Sequence, residues 1–205
     1  MKKFLFASAL LIALTAAGFR TAPGTLTADE RKFAIDYCQK TEARLLAVVK
    51  GLSVDQLNWK ADSTRWSIYQ CTVHIALSET QIRQLIQVTE HSPATPDKRS
   101  EVKLTTGELI AALIDRSQKW QSPDTMKPAG QFSGEQAALD AFVLRRNSTI
   151  AYIGSTNDDL KDHFIIHPAF GTMDLYQELV LLAAHSARHT LQIEEVMASP
   201  GFPKK

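Results

Sequence analysis

Four long stretches of this chain begin with the same signal for the start of a helix. In each, a Ser or Thr that can accept a hydrogen bond from an exposed backbone amide is followed three positions later by Glu or Gln. Apolar residues then recur at spacings of three and four, the period of one helix face. The four pairs are Thr27 and Glu30, Ser67 and Gln70, Thr105 and Glu108, and Ser133 and Gln136. The pattern predicts amphipathic helices joined by loops.

The remaining signals bound these helices and add a last one. Gly51 ends the first helix, the second runs to about Glu90, and the third is expected to reach Trp120. A turn at residues 167–171 precedes a final helix from about residue 172 to 198, which Pro200 stops. No alternating strand pattern of useful length is visible. We therefore predict an all-α four-helix bundle with long loops and room for a fifth helical segment.

The first residues differ from the rest of the chain. Lys2 and Lys3 precede an uncharged apolar run over residues 4–17, and small residues follow it, which is the pattern of a secretory signal peptide. The run is shorter than the roughly 20 residues that span a bilayer. We predict a signal peptide over 1–18, a linker over 19–26, the bundle over 27–198 and a tail over 199–205. The mature protein is expected to be periplasmic or secreted, without a membrane anchor.

Charge and cysteine content exclude some classes of partner and limit others. The net charge is +1, and no run of basic residues is longer than two, so nucleic acid is not an expected partner. Cys38 and Cys71 are the two cysteines. Export would allow them to form one disulfide, and packing in the core is the alternative.

Histidines in the two most apolar helices are the candidate metal ligands. His185 and His189 lie four residues apart and so project from one helix face, about one turn apart. Such a pair supplies half of a tetrahedral shell, and catalytic sites usually add a third protein ligand. His74 lies in a similar apolar setting in the second helix. A pair of ordinary core or surface histidines is the alternative, because spacing alone is a weak signal.

The chain also resembles the DinB-like (DinB/YfiT) superfamily of four-helix bundles, which includes metal-dependent hydrolases and bacterial thiol transferases. The resemblance covers about Thr27 to Val196. It rests on residues 57–60 (LNWK), 66–68 (WSI), 167–171 (HPAFG) and 185–193 (HSARHTLQI). It implies that His74, His185 and His189 together bind a divalent metal. The export signal is a departure, because well-described thiol transferases of this type act in the cytoplasm.

Other polar and aromatic residues are weaker candidates for the site. Glu178 and Gln192 lie along the ligand face and could orient ligands or activate water. Cys71 shares a face with His74, and His167 could approach the open end of the site. His91 and His163 are expected at the surface. Glu79 and Arg188 lie nearer the flanks, where we expect them to face solvent or to form ion pairs across helices. The tryptophans are expected in the core or at a substrate entrance, and they are Trp59, Trp66 and Trp120.

Three neutral imidazoles leave a divalent ion its full charge, which favours activation of water or a thiol. We therefore expect an exported metal-dependent hydrolase or group transferase that acts on a small molecule. A non-catalytic bundle that binds metal or a small ligand is the alternative. Zinc is the default metal, with nickel, iron or manganese also compatible. The exposed faces of such a bundle would allow a homodimer.

Overall fold

Six α-helices and one small β-hairpin form most of the computed structural model, which describes residues 24–204. The predicted signal peptide and most of the predicted linker lie outside these residues. The helices are α1 (Ala28–Val49), α2 (Val54–Asn58), α3 (Ile68–Glu90), α4 (Thr106–Ile114), α5 (Glu135–Ser155) and α6 (Leu175–Met197). The strands are β1 (Phe164–His167) and β2 (Gly171–Asp174), and short 3₁₀ segments cover Pro96–Glu101 and Asp124–Met126. The predicted mainly helical bundle is confirmed.

Reciprocal side-chain caps start most of these helices. Thr27, Ser67 and Thr105 each accept a hydrogen bond from the backbone three residues later, as predicted. Ser53 caps the short α2 in the same way, and Asp174 caps α6. These caps set where each long helix begins and therefore which residues reach its inner face.

The start predicted for α5 at Ser133 is wrong by one position. Gly134 occupies the N-cap of α5 without a side-chain hydrogen bond, and the helix begins at Glu135. Gln136 donates to Asp140 at 2.7 Å instead of bonding back to the cap. Glu135 accepts a hydrogen bond from Thr72 of α3 at 2.8 Å, which joins the start of α5 to α3.

A small β-hairpin is present although the sequence shows no strand pattern of useful length. β1 and β2 pair antiparallel, with Phe164 opposite Asp174 and His167 opposite Gly171. Each strand has four residues, which is too short for a visible alternation of apolar and polar positions. The predicted turn at its tip is present, and Gly171 adopts a φ of 75° that favours glycine. The hairpin delays the start of α6 from the expected residue 172 to Leu175.

Helix α4 is shorter than its apolar pattern predicts. It ends at Ile114, so Trp120 lies beyond it. The guanidinium of Arg188, from α6, donates hydrogen bonds of 2.7 Å to the carbonyls of Leu113 and Asp115 and another to Gln118. A side chain remote in sequence thus satisfies the carbonyls at this helix end.

Helix α6 is the central element of the bundle and packs against α1, α3 and α4. The apolar residues of its first half, between Leu175 and Ala184, belong to one buried cluster together with Ile82, Ile86 and Leu109. Ile193 and Val196 near its end belong to a second cluster, which includes residues 45, 68, 75 and 142. His185 and His189 therefore lie between two apolar clusters.

A buried ion pair joins four helices close to this point. Arg146 of α5 has no solvent exposure and pairs with Glu79 of α3, which is also buried. The same guanidinium donates to the Cys38 carbonyl at 2.9 Å and to Thr41 at 2.7 Å on α1. It also donates to Ser186 of α6 at 2.9 Å. Arg146 thus fixes the position of α6 next to His185.

The two cysteines are free and fully buried, each in a different apolar cluster. Burial raises the pKa of the Cys38 thiol to about 11 and that of Cys71 to about 12. The structure thus contains no Cys38–Cys71 disulfide, and both side chains pack as small apolar groups.

Within residues 24–204, none of the helices has the length and apolar character needed to cross a membrane.

Candidate metal centre

The structure brings His74, His185 and His189 together. His74 is in the second turn of α3, and the pair from α6 faces it across the helix interface. One ring nitrogen from each histidine lies within 4.8 Å of the others. Among the described residues, this is the group of His, Cys, Asp and Glu side chains with the geometry to hold a metal ion.

Hydrogen bonds orient two of the three rings toward a common point. The Met126 carbonyl can only accept, so the Nδ1 of His74, 2.8 Å away, carries the proton. The Nδ1 of His189 donates to the side-chain oxygen of Gln192 at 2.9 Å. In both rings the Nε2 lone pair is thereby left for a ligand. This is the usual arrangement of a metal-binding histidine.

The spacing of two of the three nitrogens fits a tetrahedral metal. The Nε2 atoms of His74 and His185 are 3.2 Å apart. Two nitrogens at about 2.0–2.1 Å from a zinc ion, at the tetrahedral angle, are separated by roughly 3.3 Å. The same distance is that of an N–H···N hydrogen bond in which the His185 Nε2–H donates to His74, and a divalent ion would take the place of this proton. The donor set therefore fits a divalent metal.

Burial keeps the three imidazoles neutral. His74 and His189 are buried, and His185 is partly buried. Burial lowers the pKa of His74, and it lowers the pKa values of His185 and His189 well below their usual value, helped by the neighbouring histidines. Neutral imidazoles are the form that binds metal, so little proton release would oppose binding near neutral pH.

A cleft of about 590 Å³ opens beside the histidines. His74 and His189 form part of its wall, together with Trp66, Trp120 and Arg188. The Trp66 ring packs 4.8 Å from the ring of His74 and 6.1 Å from that of His189, measured between centroids. This volume is in the range of small-molecule sites. A second cleft, of about 530 Å³, lies near the start of α6 and has no histidine in its wall.

Gln192 and His167 meet their predicted roles to different degrees. Gln192 contacts His189, as expected of a residue that orients a ligand. His167 lies outside the cluster of three. It is close enough that its positive charge contributes to lowering the pKa of His185. Its ring stacks on Phe170 at 4.8 Å, and Phe170 contacts the edge of Trp120 at 5.4 Å. The hairpin is therefore linked to the edge of the cleft through aromatic contacts.

Several other predictions about single residues need correction. His163 is buried, with both ring nitrogens within 2.9 Å of carbonyl oxygens, so its predicted surface position is wrong; His91 is exposed, as predicted. Glu79 forms the predicted ion pair across helices, but it is buried and not at a flank. Arg188 is also buried, and it donates hydrogen bonds to backbone carbonyls instead of facing solvent or pairing with a carboxylate. Cys71 is not part of the candidate site. The Met126 carbonyl gave no sequence signal, because a backbone group carries none.

Glu178 is a buried carboxylic acid without a hydrogen-bond partner for its Oε2 atom. Burial raises its pKa to about 7. It lies two turns before His185 on α6. A proton acceptor with a pKa near neutrality is suited to acid–base chemistry, and burial alone also explains the shift.

Replacing Glu178 with Gln should change how stability depends on pH. The carboxyl stays protonated in the folded protein up to about pH 7, whereas in the unfolded chain it ionises near 4.5. Its contribution to stability is thus complete below pH 4.5 and lost as pH rises to about 7. We expect the wild type to lose about 3 kcal/mol relative to Glu178→Gln over this range, measured by urea unfolding at a series of pH values. The exposed Glu101→Gln is the control, and equal pH profiles for the wild type and Glu178→Gln would contradict the burial argument.

Comparisons with known proteins identify the family. The model of the DinB superfamily matches residues 37–193. The uncharacterised protein YuaE of Bacillus subtilis is 28% identical over 149 residues, which cover 72% of this chain and 87% of YuaE. The structure of YfiT from Bacillus subtilis aligns with a TM-score of 0.58 at 16% identity, and the alignment covers 90% of this chain and 95% of that one. YfiT is described as "a probable metal-dependent hydrolase with an unusual four-helix bundle topology". This chain belongs to the DinB superfamily.

Proposed function

We propose that this protein is a metal-dependent hydrolase or group transferase that acts on a small molecule at His74, His185 and His189. The observation that carries the proposal is the convergence of three neutral imidazoles at the wall of a small-molecule-sized cleft. The description of YfiT as a probable metal-dependent hydrolase supports the same reaction type. A divalent ion in such a site supplies Lewis-acid activation of water or of a substrate group.

The residues of the chain would hold, orient and shield the reacting groups. Three histidine ligands would leave room at a divalent ion for a water molecule or a substrate atom. Gln192 and the Met126 carbonyl would fix the ligand rings, since each contacts an Nδ1 atom. The Trp66 ring packs beside the rings of His74 and His189 and would exclude water from that side of the site.

We also propose that the protein is exported, because residues 1–18 have the features of a signal peptide. The expected mature N-terminus is near Phe19. Expression of the full chain in a bacterial host, followed by fractionation and N-terminal sequencing, tests this directly. Recovery of an uncleaved chain from the cytoplasm would argue against export.

The test of the proposed function combines metal analysis with turnover. Purified protein should contain about one divalent metal per chain by mass spectrometry, zinc being the default and nickel, iron or manganese being alternatives. The metal-loaded protein should act on members of an ester, amide or thiol-transfer panel, and a chelator should remove the activity. A metal-loaded sample without turnover, which retains a small ligand from the host, would favour a non-catalytic binding protein. A protein that contains no metal and cannot be loaded with a divalent ion would refute the metal-dependent function and leave only the binding of a small ligand.

A further inference from the structure

The cleft beside the histidines is lined by more cations than anions. Its five cationic side chains are Arg65, Arg116, Lys119, Lys127 and Arg188. Its two carboxylates, Asp62 and Glu195, are already paired, with Arg65 at 3.2 Å and with Arg116 at 2.9 Å. Because the whole chain has a net charge of only +1, this excess of positive charge is local. Such a concentration favours entry of a negatively charged ligand.

Arg188 contributes a buried charge to this wall. Its exposed fraction is 4%, and its hydrogen-bond partners are backbone carbonyls of Leu113, Asp115 and Gln118. No carboxylate of the described residues forms a salt bridge with it. The carboxylates of Asp115 and Glu195 act on this guanidinium electrostatically, but neither forms an ion pair with it, so part of its positive field reaches the cleft. It is adjacent in sequence to the candidate ligand His189.

Lys119 adds a second cation, at the surface of the cleft. It is exposed and forms no hydrogen bond or ion pair with the described residues. Arg65 and Arg116, in contrast, are neutralised by their carboxylates, and Lys127 pairs with Asp124 at 2.6 Å. Lys119 is thus the surface cation of the cleft that can pair with a ligand without first losing a partner.

Aromatic rings provide the apolar part of the same cleft. Trp66 packs beside two of the histidines, and Trp120 stacks over the Arg188 guanidinium at 4.3 Å. Trp120 is 42% exposed, so part of its ring is open to a ligand in the cleft. An apolar ligand body can therefore pack against these indoles while a charged group meets the cations.

We propose that the ligand of this cleft is a small organic anion, with an apolar body against Trp66 and Trp120 and a carboxylate or phosphate group that pairs with Lys119 in the field of Arg188. This inference rests on the proposed function in so far as it identifies the class of substrate that the histidine site receives. The cleft volume of about 590 Å³ accommodates a molecule of this kind.

A titration with matched probes tests the inference without an activity assay. The probes are 4-phenylbutyrate, its neutral amide 4-phenylbutyramide, and phenyl phosphate, each added to metal-loaded and to metal-free protein. Binding is followed by NMR of the indole N–H groups. Signals of Trp66 and Trp120 should shift, whereas Trp59, which packs against Phe202 outside the cleft, is an internal control.

We expect the carboxylate to bind about tenfold more tightly than the amide, and Lys119→Glu to remove this preference without affecting the amide. Lys40→Glu, at an exposed position of α1 outside the cleft, is the matched charge reversal and should change nothing. Phenyl phosphate then shows which of the two oxyanions is preferred. Metal content is measured for every variant.

Equal affinity for the carboxylate and the amide would overturn the inference, as would an unchanged preference in Lys119→Glu. A preference for the carboxylate that exists only in metal-loaded protein would also overturn it, because the metal would then be its source. If the protein binds no metal and still prefers the carboxylate, the proposed function fails and the anion site stands. Metal-dependent turnover without any preference for the carboxylate would support the proposed function and overturn the anion site.

Discussion

Replacing His185 with Ala should remove stoichiometric metal from the purified protein. His185 lies 3.2 Å from the Nε2 of His74 and shares a helix face with His189, so its loss leaves two ligands of three. Two imidazoles cannot supply the three-ligand set that zinc sites of this type use. We expect metal content to fall from about one ion per chain to a small fraction, measured by mass spectrometry after dialysis against a weak chelator.

Stability gives a second measure of the same change. A metal that binds only the folded state raises the unfolding temperature, so a strong chelator should lower it in the wild type and have no effect in His185→Ala. His91→Ala is the matched control, because His91 is exposed and lies outside the candidate site. If His185→Ala retained one metal per chain, the assignment of the three-histidine site would be wrong.

Replacing Arg146 with Met should cause the largest loss of stability among the predicted variants. The change removes the partner of the buried Glu79 carboxylate, whose Oε2 atom already lacks a hydrogen bond. It also removes hydrogen bonds to Thr41 of α1 and Ser186 of α6. Truncating one partner of a buried ion pair typically costs about 3–5 kcal/mol, and we expect a loss of this order in urea unfolding.

The control for this variant is an exposed pair of the same chemistry. Arg44 and Glu194 join α1 and α6 at 2.7 Å, with 46% and 37% of their side chains exposed. Arg44→Met should cost less than about 1 kcal/mol, because surface pairs contribute little. The double variant Arg146→Met with Glu79→Met should recover part of the loss, since it removes the unpaired charge. Comparable losses for Arg146→Met and Arg44→Met would show that the buried network is unimportant.

Local sequence signals predicted the helical bundle well where they acted within one helix. The caps at Thr27, Ser67 and Thr105 depend on contacts over three residues, and the structure has all three. The pair of His185 and His189 on one face follows from helix geometry alone. The apolar setting of His74 and the family resemblance indicate it as the third ligand, because spacing contains no information about a residue more than a hundred positions away.

The structure differs from the sequence predictions where contacts between distant parts of the chain override local preference. Arg188 satisfies the carbonyls at the end of α4, so that helix stops before Trp120. Glu79 and Arg146 have the charges of surface residues, yet each is buried because the other is opposite. His163 lacks apolar neighbours in sequence but is enclosed between carbonyls of Asp159 and Ser92. Such burial depends on which segments meet and is not encoded in any short window.

The sequence by itself thus determined the main helices, the caps at Thr27, Ser67 and Thr105, the one-turn spacing of His185 and His189, and the position of Gln192 beside His189, because these depend on interactions within a few residues. Only the tertiary structure decided that His74 faces that pair and that the Met126 carbonyl orients the His74 ring. It also decided that cations and indoles from separate loops line one cleft beside them. Contacts across helices fix these positions, and their energies come from burial and pairing between groups far apart in the chain.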